Sequence, residues 1–148
     1  MKRAFNNSAM KNILTIIFAL LLFAFPAFAQ TIENSSRSTI GYISSSGTVE
    51  NRSRSTVGYI NSSGTIENSS RSTIGYITSS GAVEDKSRRT IGYINSNGTI
   101  ENGSRSTIGY IKSDGTVENS SRSTIGYAKG VKMEHAALFF FFFFKPND

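Results

Sequence analysis

Residues 31–47 read TIENSSRSTIGYISSSG, and the same 17-residue unit returns with small changes from positions 48, 65, 82, 99 and 116. Tyr42, Tyr59, Tyr76, Tyr93, Tyr110 and Tyr127 are all the tyrosines of the chain, and each stands 17 residues from the next. A fixed period of this size marks a repeat architecture in which each unit is one supersecondary element that cannot bury its apolar face alone. The last unit breaks down after Tyr127, where Ala128-Lys129-Gly130 replaces the usual Ile and turn.

Within a unit, Thr-Ile-Glu-Asn and Ser-Thr-Ile-Gly-Tyr-Ile are short runs of strand-forming residues. They are separated by two turn clusters. Asn34 to Arg37 carries Asn and Ser, which bond their own backbone and favour reversals. The other cluster ends in Gly and becomes Asn97-Gly98 and Asp114-Gly115 in later copies, which are strong hairpin signals because such a turn needs positive φ. Both turns reverse the chain, so twelve short antiparallel strands are expected, two per unit. Alternation puts Ile40 and Tyr42 on one face, with Thr39, Gly41 and Ile43 on the other. Gly41, Gly58, Gly75, Gly92, Gly109 and Gly126 recur at the period, and a glycine inside a strand marks a bulge or a crowded backbone.

The first unit holds four apolar residues, Ile32, Ile40, Tyr42 and Ile43. A lone hairpin of that kind is marginal in water. An open meander would leave two edges for aggregation, whereas identical units joined in a circle remove them. The expected fold is therefore all-β: a closed ring, or shallow barrel, of six antiparallel hairpins. A ring of 12 strands is too wide to be filled by its own strand side chains. The chain supplies a filler. Leu138 is followed by Phe139, Phe140, Phe141, Phe142, Phe143 and Phe144, apolar nearly all round as a buried central helix should be. From Met133 to Phe144 a helix would run about 18 Å, too short to span a membrane and close to the length of a strand. Glu134 and Lys145 suit its two dipole ends, and Pro146 would stop it. The reading is of a helix on the ring axis.

Residues 1–29 read as a secretory signal. Lys2, Arg3 and Lys11 precede an apolar run beginning at Ile13, and Ala27-Phe28-Ala29 is a small-residue cleavage site with Gln30 as the expected mature N-terminus. Three positive charges leave with it, so the formal net charge falls from +6 to +3. The expected organisation is a signal over 1–29, a hairpin ring over 30–130 and a poly-Phe segment over 131–148, in a periplasmic or extracellular protein.

The 17-residue SRSTIGYI…GT[IV]EN repeats behind a signal peptide, ending in GYAKG and an aromatic tail, resemble the bacterial β-flower proteins, especially the group named for five-fold β-flowers. The resemblance covers residues 31 to about 144. It implies a shallow symmetric ring of hairpin petals around a hydrophobic channel, similar to the Tubby-like barrel with its central helix. It implies no catalytic or binding residues. Six units are present here where the name gives five.

Chemistry is sparse. With no Cys and a single His, His135, a disulfide framework, a cysteine-based zinc site and a cysteine nucleophile are excluded. No catalytic serine motif, phosphate loop or calcium loop occurs. Glu33, Glu50, Glu67, Glu84, Glu101 and Glu118 recur with Arg37, Arg54, Arg71, Arg88, Arg105 and Arg122 four residues later, as solvated pairs across a turn. Six equivalent carboxylates do not make an acid–base pair, which needs two environments that push the pKa values apart. The weak charge and the export signal exclude nucleic acid as a partner. The expected function is a non-enzymatic exported structural or binding module without cofactor, in contact with a cell-envelope component or a membrane surface. Two alternatives are a glycan-binding adhesin using the Tyr ring and shallow membrane insertion of the Phe tail.

Overall fold

A computed structural model describes residues 29–145; the expected signal up to residue 28 and the Pro146 stop lie outside the described residues. Twelve strands form a closed antiparallel barrel in which each pairs with its neighbours in sequence. The first hairpin, petal 1, is β1 (Gln30–Asn34) and β2 (Thr39–Ile43). Petals 2 to 6 follow as β3 (Thr48–Asn51) and β4 (Thr56–Ile60), β5 (Thr65–Asn68) and β6 (Thr73–Ile77), β7 (Ala82–Asp85) and β8 (Thr90–Ile94), β9 (Thr99–Asn102) and β10 (Thr107–Ile111), and β11 (Thr116–Asn119) and β12 (Thr124–Tyr127). Pairing of Glu33 with Tyr127 and of Asn34 with Gly126 closes β1 onto β12. The Gln30 side chain, donating to the Gly130 carbonyl, ties the same junction.

The two turn clusters differ in sequence but adopt one backbone shape. Arg37 N–H donates to the Asn34 carbonyl at 3.0 Å, and Gly47 N–H to that of Ser44 at 3.0 Å. Each turn ends on a residue at positive φ, +63° at Arg37 and +86° at Gly47. Asn34 Oδ1 accepts from the N–H groups of Ser36 and Ser38, which is the backbone bonding that favours Asn at this place. In the Asn-Gly copy only Gly98 has positive φ, so the hairpin uses a type I turn followed by a left-handed residue rather than the mirror-image two-residue turn.

The glycine signal marks both a bulge and a crowded backbone. In petal 1, Ile32 pairs with Gly41 and Glu33 with Thr39, leaving Ile40 as an extra residue. Corresponding register skips occur in the other five petals. This corrects the simple alternation: the extra residue breaks the period, so Ile40 packs against the core instead of sharing the face of Tyr42.

The C-terminal segment begins as α1 (Met133–Ala137), with Glu134 in its first turn, and continues as a π-helical stretch over Leu138–Phe142. The straight α-helix to Phe144 drawn from the sequence is thus replaced by a wider winding. Ala136, Ala137, Leu138, Phe139, Phe140, Phe141 and Phe144 are buried in one cluster with Ile32, Ile43, Val49, Ile66, Val83, Ile100 and Val117 of the strands. Among the described residues no helix is long and apolar enough to cross a membrane.

Candidate functional site

Two repeated constellations stand out, one on each face of the barrel wall. The inner one joins the periodic glycines to the Phe run. A Cβ built on Gly41 would lie 2.8 Å from Phe139 Cζ, and one on Gly126 would lie 2.6 Å from the Phe140 ring. Gly109, Gly92, Gly75 and Gly58 stand in the same relation to Phe141, Phe142, Phe143 and Phe144. Each ring meets a different petal, and successive residues step one petal backwards around the barrel. The same imaginary Cβ would also meet a backbone carbonyl of the next petal, Glu50 O at 2.7 Å for Gly41 and Glu118 O at 2.5 Å for Gly109. Only glycine lets the strand and the ring approach this closely.

This match accounts for the winding. Six petals stand roughly 60° apart, whereas an α-helix turns about 100° per residue and would skip petals. A wider helix turns less per residue. Phe143 N–H reaches back to the Leu138 carbonyl at 2.9 Å and Phe144 N–H approaches the same carbonyl at 3.4 Å. Such a π-type stretch is uncommon and tends to mark places under functional constraint.

The outer constellation is made between petals. Tyr42 of β2 pairs across the strands with Glu50 of β3. The guanidinium of Arg54, in the turn that follows β3, lies 3.3 Å over the Tyr42 ring and donates to Glu50 at 3.2 Å. Tyr59 with Arg71, Tyr76 with Arg88, Tyr93 with Arg105 and Tyr110 with Arg122 repeat the stack at 3.3 to 3.4 Å. Arg37 over Tyr127 at 3.3 Å completes the belt across the closure. Pairing of Glu and Arg within a unit is legible in the sequence; the Tyr–Arg stack joins neighbouring units and was not foreseen. Its signal was the constant distance of twelve residues from each Tyr to the next unit's Arg, which becomes meaningful only once strand register is known.

The belt explains why arginine tolerates a conformation that usually belongs to glycine. All six stacked arginines have φ of 63° or 64°, a left-handed geometry costing a residue with a Cβ roughly 1 kcal/mol. The position is held by the stack, worth about 0.5–1 kcal/mol at an exposed site, with a small further gain from the ion pair. Replacing Arg71 by Ala is expected to lose the stack and keep the strain, whereas Arg71→Gly loses both. In urea unfolding Arg71→Gly should therefore exceed Arg71→Ala in stability by about 1 kcal/mol. Equal stability of the two variants would refute the strain account.

Petal 6 departs from the pattern. Glu118 is only 5% exposed, pairs with Lys112 and stands 3.7 Å from Arg122. Lys112 occupies a place held by Ser44, Asn61, Thr78 and Asn95 in earlier units. The Glu118 carboxylate is drawn toward it, and its Oε2 is left without a hydrogen bond. His135 lies partly buried on α1; burial, with the Lys132 charge adding to it, lowers its pKa below the usual imidazole value. No group of three or more His, Asp or Glu able to hold a metal occurs among the described residues.

A family model described as 5-fold beta-flower protein matches residues 29–144. No curated protein and no solved structure matches the chain significantly.

Proposed function

The chain belongs to the family of 5-fold beta-flower proteins, here with six petals, and from that premise we propose that it is an exported, non-enzymatic binding module plugged by its own C-terminus. The observation that carries this reading is the one-to-one seating of Phe139–Phe144 on six petals. A segment committed petal by petal to the channel is a structural plug. It sets ring size and rigidity, and it leaves the surface to do the binding.

The outer belt supports binding or scaffolding over catalysis. Five Glu–Arg pairs share nearly one geometry, and the carboxylate that departs, Glu118, is held between Lys112 and Arg122 rather than beside a second carboxylate, as acid–base chemistry would need. One face of each Tyr ring is covered by a guanidinium, which counts against the tyrosines as an open sugar-stacking platform. Burial of Phe139, Phe140, Phe141 and Phe144 counts against membrane insertion of the tail. A wall whose outward residues include Glu, Arg and Tyr lacks the apolar band of a membrane barrel. The natural partner is a polar component of the cell envelope.

Export is tested by expressing the full chain in a bacterium and fractionating the cells. The expected product is extracytoplasmic and begins at Gln30 by mass spectrometry, and Ala29→Asp should hold it as precursor. A full-length chain retaining Met1 in the cytoplasm would remove the export reading.

A further inference from the structure

A ring of petals turns without rising, but a helical segment rises as it turns, so the two cannot match all the way round. The phenylalanines meet the petals in the order 1, 6, 5, 4, 3, 2, from Phe139 on Gly41 to Phe144 on Gly58. Every pair of neighbouring petals is thus served by consecutive residues, except petals 1 and 2, whose phenylalanines are five positions apart. Five steps at the α-helical rise would separate them by roughly 7 Å along the axis, somewhat less in a wider winding. The whole mismatch falls at one junction. There the structure has an open cleft of about 600 Å³, lined by Ile40, Val57 and the Phe139, Phe143 and Phe144 rings and by the polar Asn51, Ser53, Arg52 and Lys145, the last two exposed.

The repeat itself changes at this junction. Val57 is the single valine at a position that is isoleucine in the other five petals, and it widens the cleft by a methylene. Arg52 stands where petals 1, 3 and 6 have Ser35, Ser69 and Ser120, petal 5 has Gly103 and petal 4 carries the other cation, Lys86. Among the described residues no carboxylate lines the cleft. Apolar side chains set among Asn51, Ser53 and two cations are complementary to a molecule with a short apolar body and one negative head, and the volume suits a small ligand.

We propose that the cleft between petals 1 and 2 binds one single-chain anionic amphiphile, a medium-chain carboxylate, with its chain against Phe139 and its head on Arg52 and Lys145. A guanidinium can hold a carboxylate by two parallel hydrogen bonds, and petals 1 and 2 are the one neighbouring pair whose phenylalanines are not consecutive. This assignment rests on the plug reading, since the cleft exists because a helical plug sits in a flat ring.

Isothermal titration of the chain from Gln30 onward tests it, with decanoate, decanol and decyltrimethylammonium as probes below their micelle concentrations. One decanoate per chain is expected, with decanol about tenfold weaker for want of the charge-assisted bonds and the cation not bound. Arg52→Ser should weaken decanoate about tenfold and abolish its advantage over decanol. Val57→Ile should weaken both by roughly fivefold or more by filling the cleft. Both changes install residues that other petals already carry, so the melting temperature should be unchanged. Lys145→Ser, beyond the strands, repeats the head-group test without altering a petal. Absence of decanoate binding, several sites per chain, or unchanged affinity in folded Val57→Ile and Arg52→Ser would overturn the proposal. Failure of the plug reading has a separate signature, which is hydrophobic-dye binding by the native chain with no decanoate present.

Discussion

Ending the chain after Gly130 is expected to unfold the ring or leave it loosely packed and dye-binding. The segment removed carries Leu138, fully buried, and Phe139, 3% exposed, with Phe140, Phe141 and Phe144 at 9%. Truncating one buried Phe to Ala typically costs about 3–5 kcal/mol. Four such losses, together with that of Leu138, match or exceed the roughly 5–15 kcal/mol that holds a domain folded. The inward Ile and Val of twelve strands would face water across a hole that they are too small to fill. Phe141→Ala gives the graded form of the experiment, with an expected loss of about 3–5 kcal/mol. For a domain of this size that is a fall in Tm on the order of 10–25 °C. A truncated chain with wild-type Tm and no affinity for a hydrophobic dye would show that the ring stands without its plug.

The second large effect is expected from adding a single methyl group. In Gly109→Ala the new Cβ would meet both the Phe141 ring and the Glu118 carbonyl at 2.5 Å. The ring could swing away, but the carbonyl belongs to the paired strand β11 and cannot retreat without opening the ladder. Overpacking a tight core costs typically 1–3 kcal/mol and at times more, and with backbone on one side we expect about 3 kcal/mol. Gly103→Ala is the control. Its nearest neighbour is Thr90 O at 3.1 Å, in a turn, and a change within about 0.5 kcal/mol is expected there. In the double variant Gly109→Ala, Phe141→Ala, the two losses should fall short of their sum by about 1 kcal/mol, as contacting sites do. Rescue stays partial because the carbonyl clash remains. Denaturant unfolding of the four variants supplies the cycle, and strict additivity would mean that Gly109 and Phe141 do not share a contact.

Petal count and the Phe run match by number. Six glycines receive six phenylalanines, although the family is described as 5-fold. Each added petal narrows the angle per petal and calls for a wider winding of a segment that meets every petal in turn, as the i to i+5 bond from Phe143 to Leu138 illustrates. The one break in the consecutive order falls between petals 1 and 2, where Arg52 and Val57 depart from the repeat.

Much of this molecule is written locally. The period of 17 determined six hairpins, because Asn-Ser-Ser-Arg and Ser-Ser-Ser-Gly bond within themselves and reverse the chain wherever they occur. Closure followed from the poverty of each unit, with four apolar residues unable to protect a hairpin alone. The need for a filler followed from closure, and the Phe run was the only candidate rich enough. Three features were decided by tertiary structure alone. The face taken by Ile40 depends on a bulge, and a one-residue skip in register leaves no mark on alternation. The stacking of Arg54 on Tyr42 joins two petals, so it exists only after residues twelve apart in sequence, on neighbouring hairpins, are brought side by side. The π winding and the cleft beside Val57 appear only where a rising segment meets six petals that do not rise, a conflict between two symmetries that neither segment expresses by itself.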